Sequence, residues 1–106
     1  MKRPTPPKTL QKTGRTLWKQ LLIDFQFEDA ASLELLGRAC MAADRAQQAR
    51  EALAEHGPIV NDRFGVPQRH PAVVVERDST ATLVACFKLL GLHEQTDGRA
   101  GRKYGT

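Results

Sequence analysis

The chain has 106 residues, a hydrophobic fraction of 41% and a formal net charge of +4. This length allows one domain with a core of modest size. No apolar run approaches the ~20 residues that a membrane-spanning helix needs, and no apolar segment follows the basic N-terminus. The sequence therefore predicts neither a membrane span nor a signal peptide. The two cysteines, Cys40 and Cys86, lack metal-ligand spacing and are too few for a disulfide scaffold, so we expect small buried side chains.

Positive charge is concentrated at the N-terminus. Residues 1–20 hold six basic side chains and no acidic one, whereas residues 21–60 hold three basic against seven acidic side chains. Residues 1–12 are rich in proline and show no apolar period, which predicts a disordered or extended basic arm without apolar anchors. A polyanion or an acidic protein surface suits such an arm, and a solubilising tail is the alternative. The candidate binding residues are Lys2, Arg3, Lys8, Lys12, Arg15 and Lys19.

A short first helix is predicted after the arm, with Thr13 or Thr16 as its N-cap. Its apolar residues form one broad face, made of Leu17, Trp18, Leu21, Leu22 and Phe25. Trp18 is the only tryptophan of the chain. We expect it to pack against the next helix rather than to stack on nucleobases, because it lies within this apolar face.

Residues 29–56 predict one long helix, around which the rest of the chain is organised. The stretch contains no proline, and its apolar residues, such as Leu36 and Cys40, recur at three- and four-residue steps. Asp29 is a suitable N-cap, and Gly57 ends the helix. At 1.5 Å per residue it is about 42 Å long, more than a chain of this size can bury alone. The small side chains of its alanine-rich stripe let another helix pack closely against it, so we expect a helical hairpin or an oligomer.

A short β-ribbon is predicted over residues 58–68. Asp62 and Gly65 occupy the first and fourth positions of a type I turn between two short strands. Pro67 has no N–H to donate to a sheet, so the ribbon is short and edge-like. A two-stranded ribbon is marginal in water by itself. This one must therefore pack on helices or pair with a neighbouring subunit.

A third helix is predicted to begin at His70-Pro71, because proline is favoured at the first helical position, and to end at Gly91. Its C-terminal half is apolar over most of its circumference, which predicts burial against more than one helix. One stripe holds Val75, Ser79, Leu83, Phe87 and Leu90. Residues 93–106 are rich in glycine and predict a flexible tail. The predicted fold class is mainly α, with residues 13–92 forming a helical core that carries an oligomerisation surface.

No convincing catalytic set is present in the sequence. The three histidines (His56, His70 and His93) flank predicted helix ends and have no Glu or Cys at ligand spacing. The chain also lacks a Gly-rich phosphate loop, a nucleophile elbow and a zinc motif. We therefore predict a protein that is not an enzyme, with no cofactor and no metal site.

Four blocks of sequence carry a resemblance to a known family. The most specific block is Gly57-Pro58-Ile59-Val60-Asn61-Asp62-Arg63, with Gly65 and then His70-Pro71-Ala72. The other blocks are Gly14 with Leu17-Trp18, Leu36 with Ala39-Cys40 and Asp44-Arg45, and Leu89-Leu90-Gly91-Leu92. In this order, over residues 14–92, they resemble the small terminase subunits of tailed bacteriophages.

This resemblance implies a helical subunit that assembles into a homo-oligomer, expected to be a ring, in the cytoplasm of an infected bacterial cell. By the same resemblance, the ring is expected to bind viral double-stranded DNA, to present it to the large terminase subunit and to regulate that subunit, which contains the ATPase and the nuclease. The six basic residues are then candidate DNA contacts. Two alternatives remain, a small DNA-binding transcriptional regulator and a non-enzymatic structural adaptor. A helix-turn-helix regulator needs a basic recognition helix, whereas the long helix is acidic and the third is apolar.

Overall fold

Three helices and one two-stranded sheet make up residues 4–92, which are the residues that the computed structural model describes. The elements in chain order are α1 (Lys12–Asp24), α2 (Ala30–His56), β1 (Ile59–Asn61), β2 (Pro67–Arg69) and α3 (Pro71–Leu90). Both α1 and α3 pack against α2, so the long helix is the centre of the fold. The predicted mainly α class is confirmed. Among the described residues no helix is long and apolar enough to cross a membrane. The predicted tail, 93–106, lies outside them.

α2 begins and ends where the sequence predicts, because both of its caps are local. The Asp29 carboxylate accepts a hydrogen bond of 2.9 Å from the Ser32 N–H. The same bond holds the pKa of Asp29 below its ordinary value. At the other end Gly57 has a φ of 79° and donates its N–H to the carbonyl of Leu53. Glycine adopts this left-handed backbone without steric cost.

The core lies between α1 and α2. Leu36 and Cys40 of α2 are fully buried, and Trp18 of α1 joins the same apolar cluster. The prediction that Trp18 packs against the long helix is therefore confirmed. Burial raises the pKa of the Cys40 thiol to about 12, and the nearby Asp44 carboxylate adds to this effect. Cys40 and Cys86 are both free and buried, as predicted.

The N-terminal segment contacts this core, which corrects one prediction. Leu10 is only 2% exposed and belongs to the apolar cluster. The indole Nε1–H of Trp18 donates to the carbonyl of Pro4 at 3.2 Å, and Pro7 lies beside Gly37 of α2. The prediction that the arm lacks apolar anchors is wrong, because a single leucine among polar residues and prolines gives no periodic signal.

The start of α1 corrects a second prediction. The helix begins at Lys12, its N-cap is Gln11, and the Gln11 side chain makes no capping hydrogen bond. Thr13 and Thr16, the two predicted N-caps, lie inside the helix. The acceptor for the first N–H groups is instead the carboxylate of Asp44 on α2.

The ribbon forms the predicted turn. β1 and β2 pair antiparallel, with Val60 opposite Gln68. The Gly65 N–H donates to the Asp62 carbonyl at 3.0 Å, and the Asp62 N–H donates to the Val66 carbonyl at 2.9 Å. With Gly65 at a φ of 78°, this is the bonding of a type I turn followed by a left-handed glycine. The Asp62 carboxylate also accepts from backbone N–H groups across the turn.

α3 has the predicted ends, and it is partly buried. The His70 Nδ1 atom accepts the Ala72 N–H at 3.0 Å, and Gly91 closes the helix with a φ of 76°. α3 packs along α2 through a stripe that holds Ala72, Ser79 and Cys86. Val75, Val84 and Leu89 of α3 are exposed, Leu89 to 72%, and they are distributed around the helix rather than along one side. In its C-terminal half, Phe87 and Leu90 pack against the apolar cluster to which Trp18 of α1 and Leu36 of α2 belong. This end of α3 therefore meets a core built by two helices, while other apolar side chains of α3 stay exposed.

Candidate nucleic-acid interface

Four of the six predicted binding residues meet at one surface of the molecule. Lys12, Arg15 and Lys19 are spaced by three and four residues, so they share one face of α1. Lys8 joins them from the preceding segment, where its carbonyl accepts a long hydrogen bond of 3.5 Å from Arg15 Nη2. The four residues line one shallow groove of about 430 Å³. We call Lys8, Lys12, Arg15 and Lys19 with the space between them the basic groove.

The charges of the basic groove are exposed and unneutralised. All four of its basic side chains are solvent-accessible. The ion pairs found among residues 4–92 lie elsewhere and involve none of them. Like charges this close repel one another, and an anion bound between them relieves the repulsion. Lysine and arginine bind DNA mainly through phosphates, with an affinity that is independent of sequence and falls with salt.

The position of the basic groove depends on a close contact between α1 and α2. The Asp44 carboxylate accepts hydrogen bonds from the Gly14 N–H at 2.6 Å and from the Gln11 N–H at 2.7 Å. A Cβ atom on Gly14 would lie 2.7 Å from the Cys40 carbonyl oxygen, so only glycine allows this approach. Leu10 then anchors the segment that carries Lys8. The apolar face of α1 thus packs inward while its basic face points outward.

Two predicted residues, Lys2 and Arg3, lie outside the described residues, so the structure does not place them beside the basic groove. Sequence reasoning also missed the residues that support the groove. Leu10 and Asp44 are both buried, and Asp44 is 6% exposed. Asp44 looks like an ordinary surface acid of a long helix, because its partners lie 30 and 33 residues away in the sequence.

The histidines at the base of the ribbon form a different local cluster. The rings of His56 and His70 stack with their centroids 5.8 Å apart. The Nε2 atom of His56 lies 3.3 Å from the Glu55 carboxylate. Within residues 4–92, no group of three or more His, Cys, Asp or Glu side chains is placed to hold a metal ion. This cluster joins the end of α2 to the start of α3.

Fold and surface together define a small, mainly helical protein whose outer face carries an unpaired basic groove and whose ribbon and third helix expose apolar side chains. Residues 14–103 match the family model described as phage terminase, small subunit. The chain therefore belongs to the small-subunit family of phage terminases, and its role lies in phage DNA packaging. Small terminase subunits are generally not catalytic, since the ATPase is the large subunit. No curated protein and no solved structure matched the chain.

Proposed function

We propose that this chain is a non-catalytic packaging subunit that binds viral double-stranded DNA as a homo-oligomer, in the cytoplasm of an infected bacterial cell. In this proposal the oligomer is a ring that presents the DNA to the large terminase subunit and regulates its ATPase and nuclease. Membership of the small-subunit family supports the packaging role. The basic groove supports direct contact with DNA.

The observation that carries the DNA contact is the row of unpaired cations on α1. Lys12 and Lys19 are seven residues apart, which is about 10 Å along a helix. One DNA strand presents a phosphate about every 3.4 Å of axis, so a row of this length faces about three phosphates. Lys8 adds a fourth charge at the edge of the row. The groove therefore has the charge and the length to follow a short stretch of one strand.

Exposed apolar side chains support the oligomer. The ribbon exposes Ile59, Phe64 and Val66, and α3 exposes Val75, Val84 and Leu89 at different positions around the helix. A ring requires two different surfaces on each subunit, one complementary to the other. Exposed apolar side chains occur at two separate places in the fold, the ribbon and α3, which could supply the two surfaces. In a ring, several basic grooves would bind one DNA molecule together, and weak contacts would sum through avidity.

The DNA contact is tested by removing the four charges of the groove. We expect the variant Lys8→Gln, Lys12→Gln, Arg15→Gln, Lys19→Gln to bind DNA more weakly in a filter assay over a salt series. If all four cations meet phosphates on one engaged chain, the log–log salt slope falls in magnitude by up to about 3.6. The matched control removes four cations elsewhere, through Arg63→Gln, Arg69→Gln, Arg77→Gln and Lys88→Gln. Native mass spectrometry first establishes that both variants assemble like the parent, because the control positions lie on the ribbon and α3. With assembly unchanged, an equal loss of DNA affinity in both variants would show that only total charge matters.

The assembly and the partner are tested separately from DNA. Native mass spectrometry of the full chain should show one closed oligomer larger than a dimer, and a monomer at micromolar concentration would contradict the ring. Purified large subunit should change its ATPase rate when the full chain is added. An unchanged rate, with and without DNA, would remove the regulatory part of the proposal.

A further inference from the structure

The basic groove continues into two further shallow depressions that cross α2. Gln11 lines the basic groove and also a neighbouring depression of about 200 Å³, which is lined in addition by Thr9, Met41, Asp44, Arg45 and Gln48. Arg45 and Met41 in turn line a third depression, of about 300 Å³, between α2 and α3. Shared walls make these three depressions one continuous surface, which runs from α1 over α2 to α3.

Arg45 is the unpaired cation at the middle of this surface. Its side chain is exposed, and no residue of the described part of the chain forms an ion pair or a hydrogen bond with it. Its neighbour Asp44 also lines the depression of about 200 Å³, but the Asp44 carboxylate accepts hydrogen bonds from the Gln11 and Gly14 N–H groups and forms no ion pair with Arg45. Arg45 is therefore a positive group that projects from the ridge of α2 beside the basic groove.

Arg38 lies on the same helix and provides an internal comparison. It is seven residues before Arg45 and lines the third depression with it. In contrast to Arg45, its guanidinium pairs with the Glu34 carboxylate at 3.1 Å, and both side chains are about two-thirds exposed. The ridge of α2 thus presents one free arginine and one neutralised arginine.

We infer that Arg45 contacts a DNA phosphate beyond those met by the basic groove, so that the DNA backbone crosses from α1 onto α2. This inference rests on the proposed function. A guanidinium offers a planar pair of N–H donors that fits a phosphate and binds it more specifically than an ammonium does. Gln11 and Gln48, on the two sides of the depression, add polar donors next to the same phosphate.

A fixed spacing between Arg45 and the groove supports a shared ligand. The hydrogen bonds of Asp44 to Gly14 and Gln11 tie the first turn of α1 to the turn of α2 that carries Arg45. The two positive surfaces therefore cannot slide past each other while these bonds persist. A rigid double helix can contact both surfaces together without a rearrangement of the protein.

The experiment compares Arg45→Gln with Arg38→Gln in the full chain, with DNA binding measured over a salt series. We expect Arg45→Gln to weaken binding about tenfold, the loss of one charged hydrogen bond, and to reduce the salt slope by about 0.9 per engaged chain. Arg38→Gln should weaken binding less than threefold, because Glu34 already neutralises that charge. Arg45→Lys should keep the parental salt slope but only part of the DNA affinity, because an ammonium has the same charge but lacks the planar pair of N–H donors.

Three outcomes would overturn the inference. The first is parental binding by Arg45→Gln while the four-residue groove variant loses DNA, which leaves the proposed function standing. The second is an equal loss of DNA affinity in Arg45→Gln and Arg38→Gln, which would mean that DNA responds to the total charge of α2 and not to a specific contact with Arg45. The third is unchanged DNA binding by Arg45→Gln together with weaker binding to purified large subunit, which assigns this surface to a protein partner. Parental binding by the groove variant itself would instead count against the proposed DNA surface.

Discussion

The carboxylate of Asp44, on α2, accepts a hydrogen bond of 2.6 Å from the backbone N–H of Gly14, on α1. A second bond, of 2.7 Å, comes from the N–H of Gln11. The first N–H groups of a helix have no partner within the helix, and negative charge is favoured beside them. Asp44 supplies both the acceptors and the charge from another element of the fold. The helix that carries the basic groove is thereby capped by the helix on which it packs.

Removal of the Asp44 carboxylate should therefore destabilise the fold. We expect Asp44→Ala to lower the free energy of unfolding by about 1–3 kcal/mol, because two N–H groups at a buried helix end lose their acceptor. Asp44→Asn keeps one acceptor oxygen of similar shape, so its loss should be smaller. Urea unfolding followed by circular dichroism measures both variants. A parental midpoint for Asp44→Ala would show that water replaces the carboxylate without cost.

Two glycines buried between α1 and α2 should respond in opposite directions to the same change. At Gly14 a Cβ atom would lie 2.7 Å from the Cys40 carbonyl oxygen, so Gly14→Ala must push the helices apart. We expect a loss of about 1–3 kcal/mol, typical of overpacking. At Gly37 the nearest atom, Pro7 Cγ, is 3.5 Å away, which is an ordinary contact. Gly37→Ala should thus be neutral or stabilise α2 by up to about 1 kcal/mol.

The unfolding midpoints of this glycine pair provide the measurement. Because both sites are buried and receive the same methyl group, a difference in sign isolates the effect of close approach. Equal destabilisation by both variants would mean that α1 sits further from α2 than Gly14 indicates.

The sequence predicts those parts of the fold whose causes are local. Asp29 caps α2 through Ser32, three residues on, and Gly65 closes its turn with Asp62. Such interactions leave a readable pattern, because the partners stand at a fixed spacing. The same holds for the basic row on α1, whose residues repeat at helical intervals.

The parts that sequence reasoning missed depend on long-range contacts. Leu10 is a lone apolar residue in a segment rich in proline and lysine, yet it fills a place in the core. Asp44 caps a helix 30 residues earlier in the chain, where a threonine within α1 was the local candidate. Arg45 became a candidate only when packing placed α2 beside the groove. No spacing rule links residues that distant.

Burial of Cys40 leads to a prediction about pH and reactivity. Burial, and then the Asp44 carboxylate, raise the pKa of this thiol from 9.0 to about 12. In the folded protein it should resist alkylation by iodoacetamide at pH 8.5, because the thiolate is the reactive form. The contribution to stability is fully present below pH 9 and is lost as the pH rises towards 12, since the unfolded chain ionises first. Modification of Cys40 at the rate of a free thiol, without urea, would contradict its burial.

Two residues of the N-terminal segment should have different roles, Leu10 in the stability of the fold and Lys8 in DNA binding. We expect Leu10→Ala to cost about 2–5 kcal/mol, since the side chain is 2% exposed within the apolar cluster. Lys8→Gln changes an exposed residue of the same segment and should leave the melting temperature within error while weakening DNA binding. Differential scanning calorimetry and the filter assay distinguish the two effects. Deletion of residues 1–12 would not distinguish the loss of stability from the loss of DNA binding, because it removes Leu10 together with four cations.

The last prediction concerns the ribbon, which exposes Phe64 at its tip to 75%. We expect Phe64→Ser to leave the helical content and the melting of the single chain unchanged but to weaken the oligomer. Among residues 4–92, the one ring contact found for Phe64 is the guanidinium of Arg63 at 4.9 Å. Gly65→Val should weaken the oligomer as well, since a β-branched residue is strained at a φ of 78°. Gly65→Asn is the matched control, because asparagine tolerates this left-handed backbone.

Native mass spectrometry at several protein concentrations measures the oligomeric state of all three ribbon variants. Backbone strain is the expected reason for Val to differ from Asn at position 65. Within residues 4–92, and apart from the two neighbours of Gly65 in the chain, no atom lies within 4 Å of a Cβ placed there. A shift to smaller species in Phe64→Ser and Gly65→Val, but not in Gly65→Asn, would identify the shaped ribbon as a contact between copies. If all three assemble like the parent, the ribbon lies outside the interface, and the exposed apolar side chains of α3 are then the next candidates for a contact between copies.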